Sequence, residues 1–251
     1  MFSERERERY KRQLMLFGDE GQERLKKAHI FIAGAGGLGS PASLYLAVAG
    51  VGTITVIDRD VVDQTNLNRQ ILHFDRDVGR KKTASAKERL QEINPDITVN
   101  AIDINIDETN AADLLGEADG IVDAMDNYPT RYLLNEVAIA KEIPLFHGGI
   151  HGFYGQVTTI IPGTTPCLKC IFPKSPPKEV FPVVGVTAGF IGTIQANEVI
   201  KFLLGIGELL TGRLLIWDGM QAHAEEICVE RNPACQACGG MAKKTPAGKK
   251  K

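Results

Sequence analysis

From residue 29 onward, short apolar runs alternate with longer mixed stretches. The runs are His29–Ala33, Thr53–Ile57, Ile97–Ile102, Gly120–Asp123 and Ile143–Phe146. Runs of this length fit strands buried on both faces, as in a parallel sheet covered by helices. The stretches between them carry helical patterns: the small-residue segment Leu38–Ala49, residues 79–93 ending near Asn94-Pro95, residues 111–116, and Tyr132–Lys141. This alternation with short connections predicts an α/β fold with a doubly wound, Rossmann-like, mostly parallel sheet. After Phe146 the pattern changes. Gln156–Ile161 follows a turn rich in glycine (Gly148, Gly149, Gly152, Gly155) with no helix between, which predicts antiparallel strands added at the C-terminal end. Residues 173–184 hold four prolines and predict a mobile loop or crossover. A long apolar helix, Gly185–Leu204, and two late strands, Leu214–Asp218 and Ala224–Val229, complete the core. Ahead of it, Ser3–Leu16 predicts a helix with a dense Glu/Arg face, and residues 19–28 a second short helix. Residues 241–251 are Lys-rich without apolar pattern, so a disordered tail is expected.

Composition narrows the class. Apolar residues at 43% and charged residues at 24% are ordinary for a globular chain, and 251 residues suffice for one large α/β domain. A net charge of −2 argues against a nucleic-acid groove or an anionic membrane surface as partner. No apolar run approaches the ~18 residues of a membrane span. Met1-Phe2-Ser3, followed by alternating Glu and Arg, lacks the apolar stretch of a signal peptide. A cytoplasmic location is expected.

Four of the five cysteines form two C-x-x-C pairs, Cys167/Cys170 and Cys235/Cys238, each preceded by a nearby proline. In a reducing compartment four thiolates suit a closed, structural Zn²⁺ site. A redox dithiol and a metal-free set are the competing readings. Cys228 stands alone in an apparent strand and is expected to be a packed structural thiol. His29, His73, His147, His151 and His223 show no ligand spacing with the cysteines. His147 and His151 flank the glycine-rich turn and are expected to be structural, with a substrate contact as the alternative.

The strongest chemical signal is Gly34-Ala35-Gly36-Gly37-Leu38-Gly39, placed between a strand and a helix. There glycines let the backbone approach a phosphate or ribose. Asp58 ends the next strand, where a carboxylate can accept from ribose hydroxyls. NAD enzymes share this element, and a tight turn packed on the sheet is the plainer explanation. The following segment separates the classes. Asn66, Arg69 and Lys82 supply polar and cationic groups for phosphates, and Asp123-Ala124-Met125-Asp126-Asn127 supplies carboxylates for Mg²⁺. A nucleotidyl transferase needs such groups, whereas a dehydrogenase has little use for them.

In chain order, Arg9-Tyr10-Lys11-Arg12-Gln13, the glycine loop, Asn66-Leu67-Asn68-Arg69-Gln70, Val78-Gly79 with Lys82, Asp126-Asn127 and both C-x-x-C pairs resemble the ThiF/MoeB/HesA family, relatives of ubiquitin-activating enzymes. The resemblance covers roughly residues 5–240. It implies ATP- and Mg²⁺-dependent adenylation of the C-terminal Gly-Gly carboxylate of a small ubiquitin-fold sulfur carrier, with release of pyrophosphate. A separate sulfur donor would follow, in molybdopterin, thiamine or tRNA-thiolation synthesis. It also implies a homodimer, no membrane and no direct nucleic-acid partner. Residues 1–28 would be an arm reaching the partner site, and 29–240 the adenylation domain with its zinc site.

Carried over position by position, Gly34, Gly36, Gly37 and Gly39 line the nucleotide loop and Asp58 binds ribose. Asn66 and Arg69 contact phosphates, Gln70 joins the nucleotide-binding set, and Lys82 neutralises charge. Asp126 sits by Mg²⁺ and the α-phosphate with Asn127 beside it, and Arg12 reaches the partner subunit's phosphates. Plainer roles compete: surface cations for Arg69 and Lys82, a helix cap for Asp126, a salt bridge for Arg12. Some relatives carry a cysteine in the crossover loop; the stretch Lys178–Gly185 has none, so a thioester step there is not expected. A rhodanese-like segment after the second C-x-x-C pair is not expected. The alternatives are a threonylcarbamoyl-adenosine tRNA dehydratase of the same superfamily, an NAD-dependent oxidoreductase, and a non-catalytic carrier-binding scaffold, which would require loss of the phosphate-binding residues that are present.

Overall fold

A computed structural model of the chain describes residues 2–175 and 182–241. Most of the crossover expected to be mobile (176–181) and of the tail expected to be disordered (242–251) lies outside these. So do Lys178–Phe181 of the stretch that lacks the cysteine.

The described residues build one eight-stranded sheet. Its strands are β1 (His29–Ala33), β2 (Thr53–Ile57), β3 (Thr98–Ile102), β4 (Gly120–Asp123), β5 (Leu145–His151), β6 (Tyr154–Ile160), β7 (Arg213–Asp218) and β8 (His223–Cys228). The order is β3-β2-β1-β4-β5-β6-β7-β8. Pairs from β3 to β5 are parallel and those from β5 to β8 antiparallel. The helices are α1 (Glu4–Arg9), α2 (Lys11–Lys27), α3 (Gly39–Ala49), α4 (Lys82–Ile93), α5 (Ala111–Leu115), α6 (Tyr128–Lys141), α7 (Leu168–Ile171) and α8 (Gly185–Leu204).

Side chains of successive strand residues point to opposite faces. Ile30, Ile32, Ile54 and Val56 therefore pack with Leu46 of α3, Leu90 of α4 and Val199 of α8. Phe31, Ala33, Ile57 and Ile121 pack with Leu115 of α5, Leu134 of α6 and Leu168 of α7. Both faces are covered, which is why these strands read as unbroken apolar runs. Each large side chain taken wholly out of water contributes about 2–3 kcal/mol. Among the described residues no helix is long and apolar enough to cross a membrane.

Several boundaries differ from the sequence expectation for identifiable reasons. The N-terminal helices break at Tyr10, whose ring is buried and whose hydroxyl accepts from Asn94 Nδ2 at 2.8 Å. A second bend falls at Gly18 (φ 68°). Helix α4 starts at Lys82 rather than 79 because Gly79 holds φ 87°. Helix α6 starts at Tyr128, since Asn127 caps it by accepting from Thr130 N at 3.0 Å and a proline follows in the first turn. Strand β5 runs on through Gly148 and Gly149 to pair with β6. The expectation for Cys228 is corrected: it lies on β8 with every residue of that strand exposed. An apolar-looking run gives the strand but not whether a layer covers it.

Candidate functional site

In a sheet of this order the connections diverge between β1 and β4, opening a crevice at the strands' C-terminal ends. The glycine loop lines one wall. Gly34 holds φ 103°, and a Cβ there would lie 2.8 Å from the Ala124 carbonyl, beyond β4. A Cβ at Gly39 would lie 1.9 Å from the Gly34 carbonyl oxygen. These two positions admit only glycine, because the turn closes on itself and on the β4 loop. Among the described residues nothing accepts from the N–H groups of Gly36, Gly37 and Leu38. They open α3, and with the helix dipole behind them they offer the donors an anion would need.

Asp58 at the tip of β2 is fixed from two sides. Its Oδ2 accepts from Ala35 N and its Oδ1 from Asp60 N, both at 2.9 Å. Asn66 organises the next turn: its Oδ1 accepts from Asp63 N at 3.1 Å, and its carbonyl from Gln70 N at 2.9 Å. Arg69 lays its stem against Gly37, while Nη1 donates to the Thr65 carbonyl and to Asn68 Oδ1. Gln70 is buried beside Gly36, and its Oε1 has no partner among the described residues. Lys82 is no surface cation. Its side chain is 7% exposed and its Nζ meets Asp60 Oδ2 at 3.0 Å, whereas neighbouring Lys81 points out to Asp103 at 3.1 Å.

His73 belongs to this wall although no spacing singled it out. It is buried, with Nε2 3.1 Å from the Ala35 carbonyl and Nδ1 2.9 Å from Ser85 Oγ. It ties the glycine loop to α4, and burial lowers its pKa. Its place three residues after Gln70 was the only hint.

Asp126 lies exposed on the β4–α6 loop and accepts from Asn127 Nδ2 at 3.4 Å. Asn127, not Asp126, caps α6. Glycine loop, Asp58, Asn66, Arg69, Gln70, Lys82 and the β4–α6 loop thus come together around one crevice. Arg12 does not. It is exposed in the first turn of α2, and adjacent Gln13 donates to the Ala49 carbonyl at the far end of α3. Eleven residues of α3, a length of roughly 16 Å, separate that end from the glycine loop.

Away from the crevice, Cys167, Cys170, Cys235 and Cys238 converge, all sulfurs lying within 4.8 Å of one another. Three Sγ–Sγ edges are 3.9, 3.6 and 3.4 Å. A tetrahedron of ~2.3 Å Zn–S bonds has edges of ~3.8 Å, so the set fits a tetrathiolate ion. Burial pushes the Cys167 and Cys170 thiols up. Burial also acts on Cys235, but the N–H groups of Cys238 and Ala237, with the neighbouring thiols, outweigh it and bring that thiol down to about 7.

Comparison with known proteins agrees with this geometry. The sequence profile of the ThiF family matches residues 10–237. The chain is 44% identical over 240 residues to the SAMP-activating enzyme E1 of Haloferax volcanii, covering 92% of this chain and 88% of that one. It is 43% identical over 251 residues to the sulfur carrier protein adenylyltransferase of Thermus thermophilus, covering 95% and 93%. The crystal structure of E. coli MccB with ATP matches with a TM-score of 0.78 at 27% identity, over 92% of this chain and 73% of that one. The matched span takes in the whole crevice, Arg12 and three of the four clustered cysteines, and on that match the chain belongs to the ThiF family.

Proposed function

We propose that the chain uses ATP and Mg²⁺ to adenylate the C-terminal Gly-Gly carboxylate of a small ubiquitin-fold sulfur-carrier protein. The observation that carries this reading is the crevice itself. Free N–H groups at the start of α3 share it with a buried ammonium, Lys82, and a guanidinium, Arg69. That is a cradle for a polyphosphate, and an NAD enzyme has little need of those cations. Two relatives above 40% identity are named as a SAMP-activating enzyme E1 and a sulfur carrier protein adenylyltransferase.

In this reading the Asp58 carboxylate takes the ribose, and the loop N–H groups with Asn66 and Gln70 hold the nucleotide. The carrier's carboxylate attacks the α-phosphorus, the bond to the bridging oxygen breaks, and pyrophosphate departs, leaving an acyl-adenylate. The nucleophile is already an anion, so no general base is required; positioning and charge stabilisation carry the step. Lys82 and Arg69 face the charge that builds on the phosphates. Mg²⁺, when bound, would neutralise phosphate oxygens; it takes one or two protein oxygens and keeps its waters, which suits the single exposed carboxylate of Asp126, with Asn127 beside it. A separate donor of sulfide-level sulfur would then attack the acyl carbon, displacing AMP and leaving the thiocarboxylate. Cys167, Cys170, Cys235 and Cys238 would hold Zn²⁺ with four thiolates and leave no position for substrate, so its role would be structural. Arg12 lies too far from its own loop to take part, and we infer that it completes the site of the partner subunit in a homodimer. The cytoplasm is the compartment in which such reduced thiols persist.

The test is isotope exchange between pyrophosphate and ATP. Exchange is expected only with both Mg²⁺ and a small protein ending in Gly-Gly. Equal exchange with no protein substrate, or NAD reduction, overturns the reading.

A further inference from the structure

We infer that His147 is a positioning residue for Asp126, acting with Asp123 and Arg131 through a buried network that fixes the backbone just before that carboxylate. The inference rests on the adenylation reading only in giving Asp126 its metal.

Asp123 ends β4 and is wholly buried. Its Oδ1 accepts from Met125 N at 3.1 Å. Arg131, one turn into α6, reaches back to the same residue: Nε and Nη2 donate to the Met125 carbonyl at 3.0 and 2.5 Å. Both backbone polar groups of Met125 are therefore held, and Asp126 departs from a fixed point. Nη2 also donates to the Gly148 carbonyl at 3.0 Å, which ties the Asp126 loop to the glycine pair of β5. The absence of side chains there matters, since a Cβ at Gly149 would lie 3.3 Å from Arg131 Nη1.

His147 completes the set from the adjacent strand. Asp123 and His147 are register partners of β4 and β5, and His147 Nδ1 donates to Asp123 Oδ2 at 2.7 Å. Its other nitrogen faces Gln156 Nε2 at 3.3 Å, an arrangement that suits a neutral ring whose Nε2 accepts from the Gln156 amide. Burial, reinforced by the Arg131 charge, holds the His147 pKa below its ordinary value against the pull of Asp123. One positive charge, Arg131, thus faces one negative, Asp123, with Nε 3.8 Å from Oδ1. Apolar side chains of equal volume would avoid the desolvation cost of such a group. They could not grip the two ends of Met125.

Two variants separate positioning from packing. His147→Asn keeps an N–H donor near the position of Nδ1, and His147→Leu removes it. The first measurement is Mn²⁺ affinity by electron paramagnetic resonance, in the presence of α,β-methylene-ATP. His147→Leu is expected to weaken Mn²⁺ by ~10-fold or more, as for outer-shell partners of metal ligands, while His147→Asn stays within ~3-fold of the parent. In an Asp126→Asn background, His147→Leu is expected to cause no further loss, because the two act as one unit. Pyrophosphate exchange should lose ~10-fold in kcat with little change in KM for ATP. The imidazole of the unaltered protein should show its proton on Nδ1 by ¹⁵N NMR. An Asn variant as weak in Mn²⁺ binding as the Leu variant, undiminished loss in the Asp126→Asn background, or a proton on Nε2 overturns the inference. If His147→Leu does not fold, the Asn variant and the NMR measurement still decide. If no Gly-Gly protein supports exchange, the adenylation reading fails while the Mn²⁺ and NMR results still judge His147.

Discussion

At the scale of single residues, the close approaches in the glycine loop set what each position tolerates. Gly39→Ala would place a carbon 1.9 Å from the Gly34 carbonyl oxygen, so the loop must open. Calorimetry with an ATP analogue should show at least ~10-fold weaker binding, and thermal denaturation a loss of several kcal/mol. Gly189 in α8 is the contrasting case: among the described residues outside its own helix turn, no atom lies within 4 Å of an added Cβ. Gly189→Ala should stabilise the chain by ~0.5–1 kcal/mol and leave ATP binding unchanged. Buried histidines give a second prediction. Burial lowers the pKa of His73 and of His147, so both stay neutral in the folded chain when the unfolded chain has begun to protonate. Below the ordinary value of about 6.5 the unfolded state therefore binds more protons, and stability falls as pH drops. The loss has a limiting slope of about 1.4 kcal/mol per pH unit for each group until its folded pKa is reached. Melting curves between pH 8 and 5.5 should show this decline, and His73→Gln should flatten part of it. A melting midpoint independent of pH across that window would contradict the neutral assignment.

At the scale of elements, the cysteine cluster joins two segments far apart in the sequence. Cys167 precedes α7 and Cys170 lies within it, while Cys235 and Cys238 sit in the turn after β8. Arg231 adds a clamp, donating to the carbonyls of Cys238 and Met241. Four crowded thiols cannot all ionise without a cation between them. About one zinc per chain is expected by elemental analysis. Structural zinc contributes on the order of 10 kcal/mol of apparent binding energy, so Cys167→Ser should release the metal and lower the melting midpoint by more than ~10 °C. Protein free of metal as isolated, with Cys167→Ser as stable as the parent, would remove zinc from the picture.

At the scale of the whole molecule, the placement of Arg12 is the feature one chain does not explain. Tyr10 and Gln13 anchor the start of α2 beside the C-terminal end of α3, and the glycine loop lies at the opposite end. In the proposed homodimer a second copy would present its Arg12 to this crevice. Loss of a cation placed on a transferring phosphate costs ~10²–10³ in rate, so Arg12→Ala and Asp126→Ala should each be nearly inactive. Mixed and allowed to exchange subunits, they should recover activity, because heterodimers hold one site with both residues intact; about a quarter of all sites qualify in an even mixture. No recovery after demonstrated exchange would place Arg12 in its own chain's chemistry or in none.

The sequence by itself determined the parallel half of the sheet, since strands buried on both faces must read as short apolar runs, and β1, β2 and β4 begin and end where those runs do. It also located the glycine loop, because only glycine satisfies the closure at Gly34 and Gly39, and it paired the cysteines by spacing. Between Lys81 and Lys82 the family resemblance chose; the residues alone could not, since neighbours of the same type carry the same local signal. The helix frame of α4 turns one inward to Asp60 and the other outward to Asp103. Cys228 was legible as a strand residue, but its exposure depends on whether another layer covers β8. The course of β5 beyond Phe146 was hidden for the converse reason: glycines read as a turn until β6 pairs with them. Only the tertiary structure decided that Asp123, Arg131 and His147 meet. Their contact depends on which strand lies beside which and in what register, and a pattern confined to neighbouring residues does not carry the order of strands in a sheet.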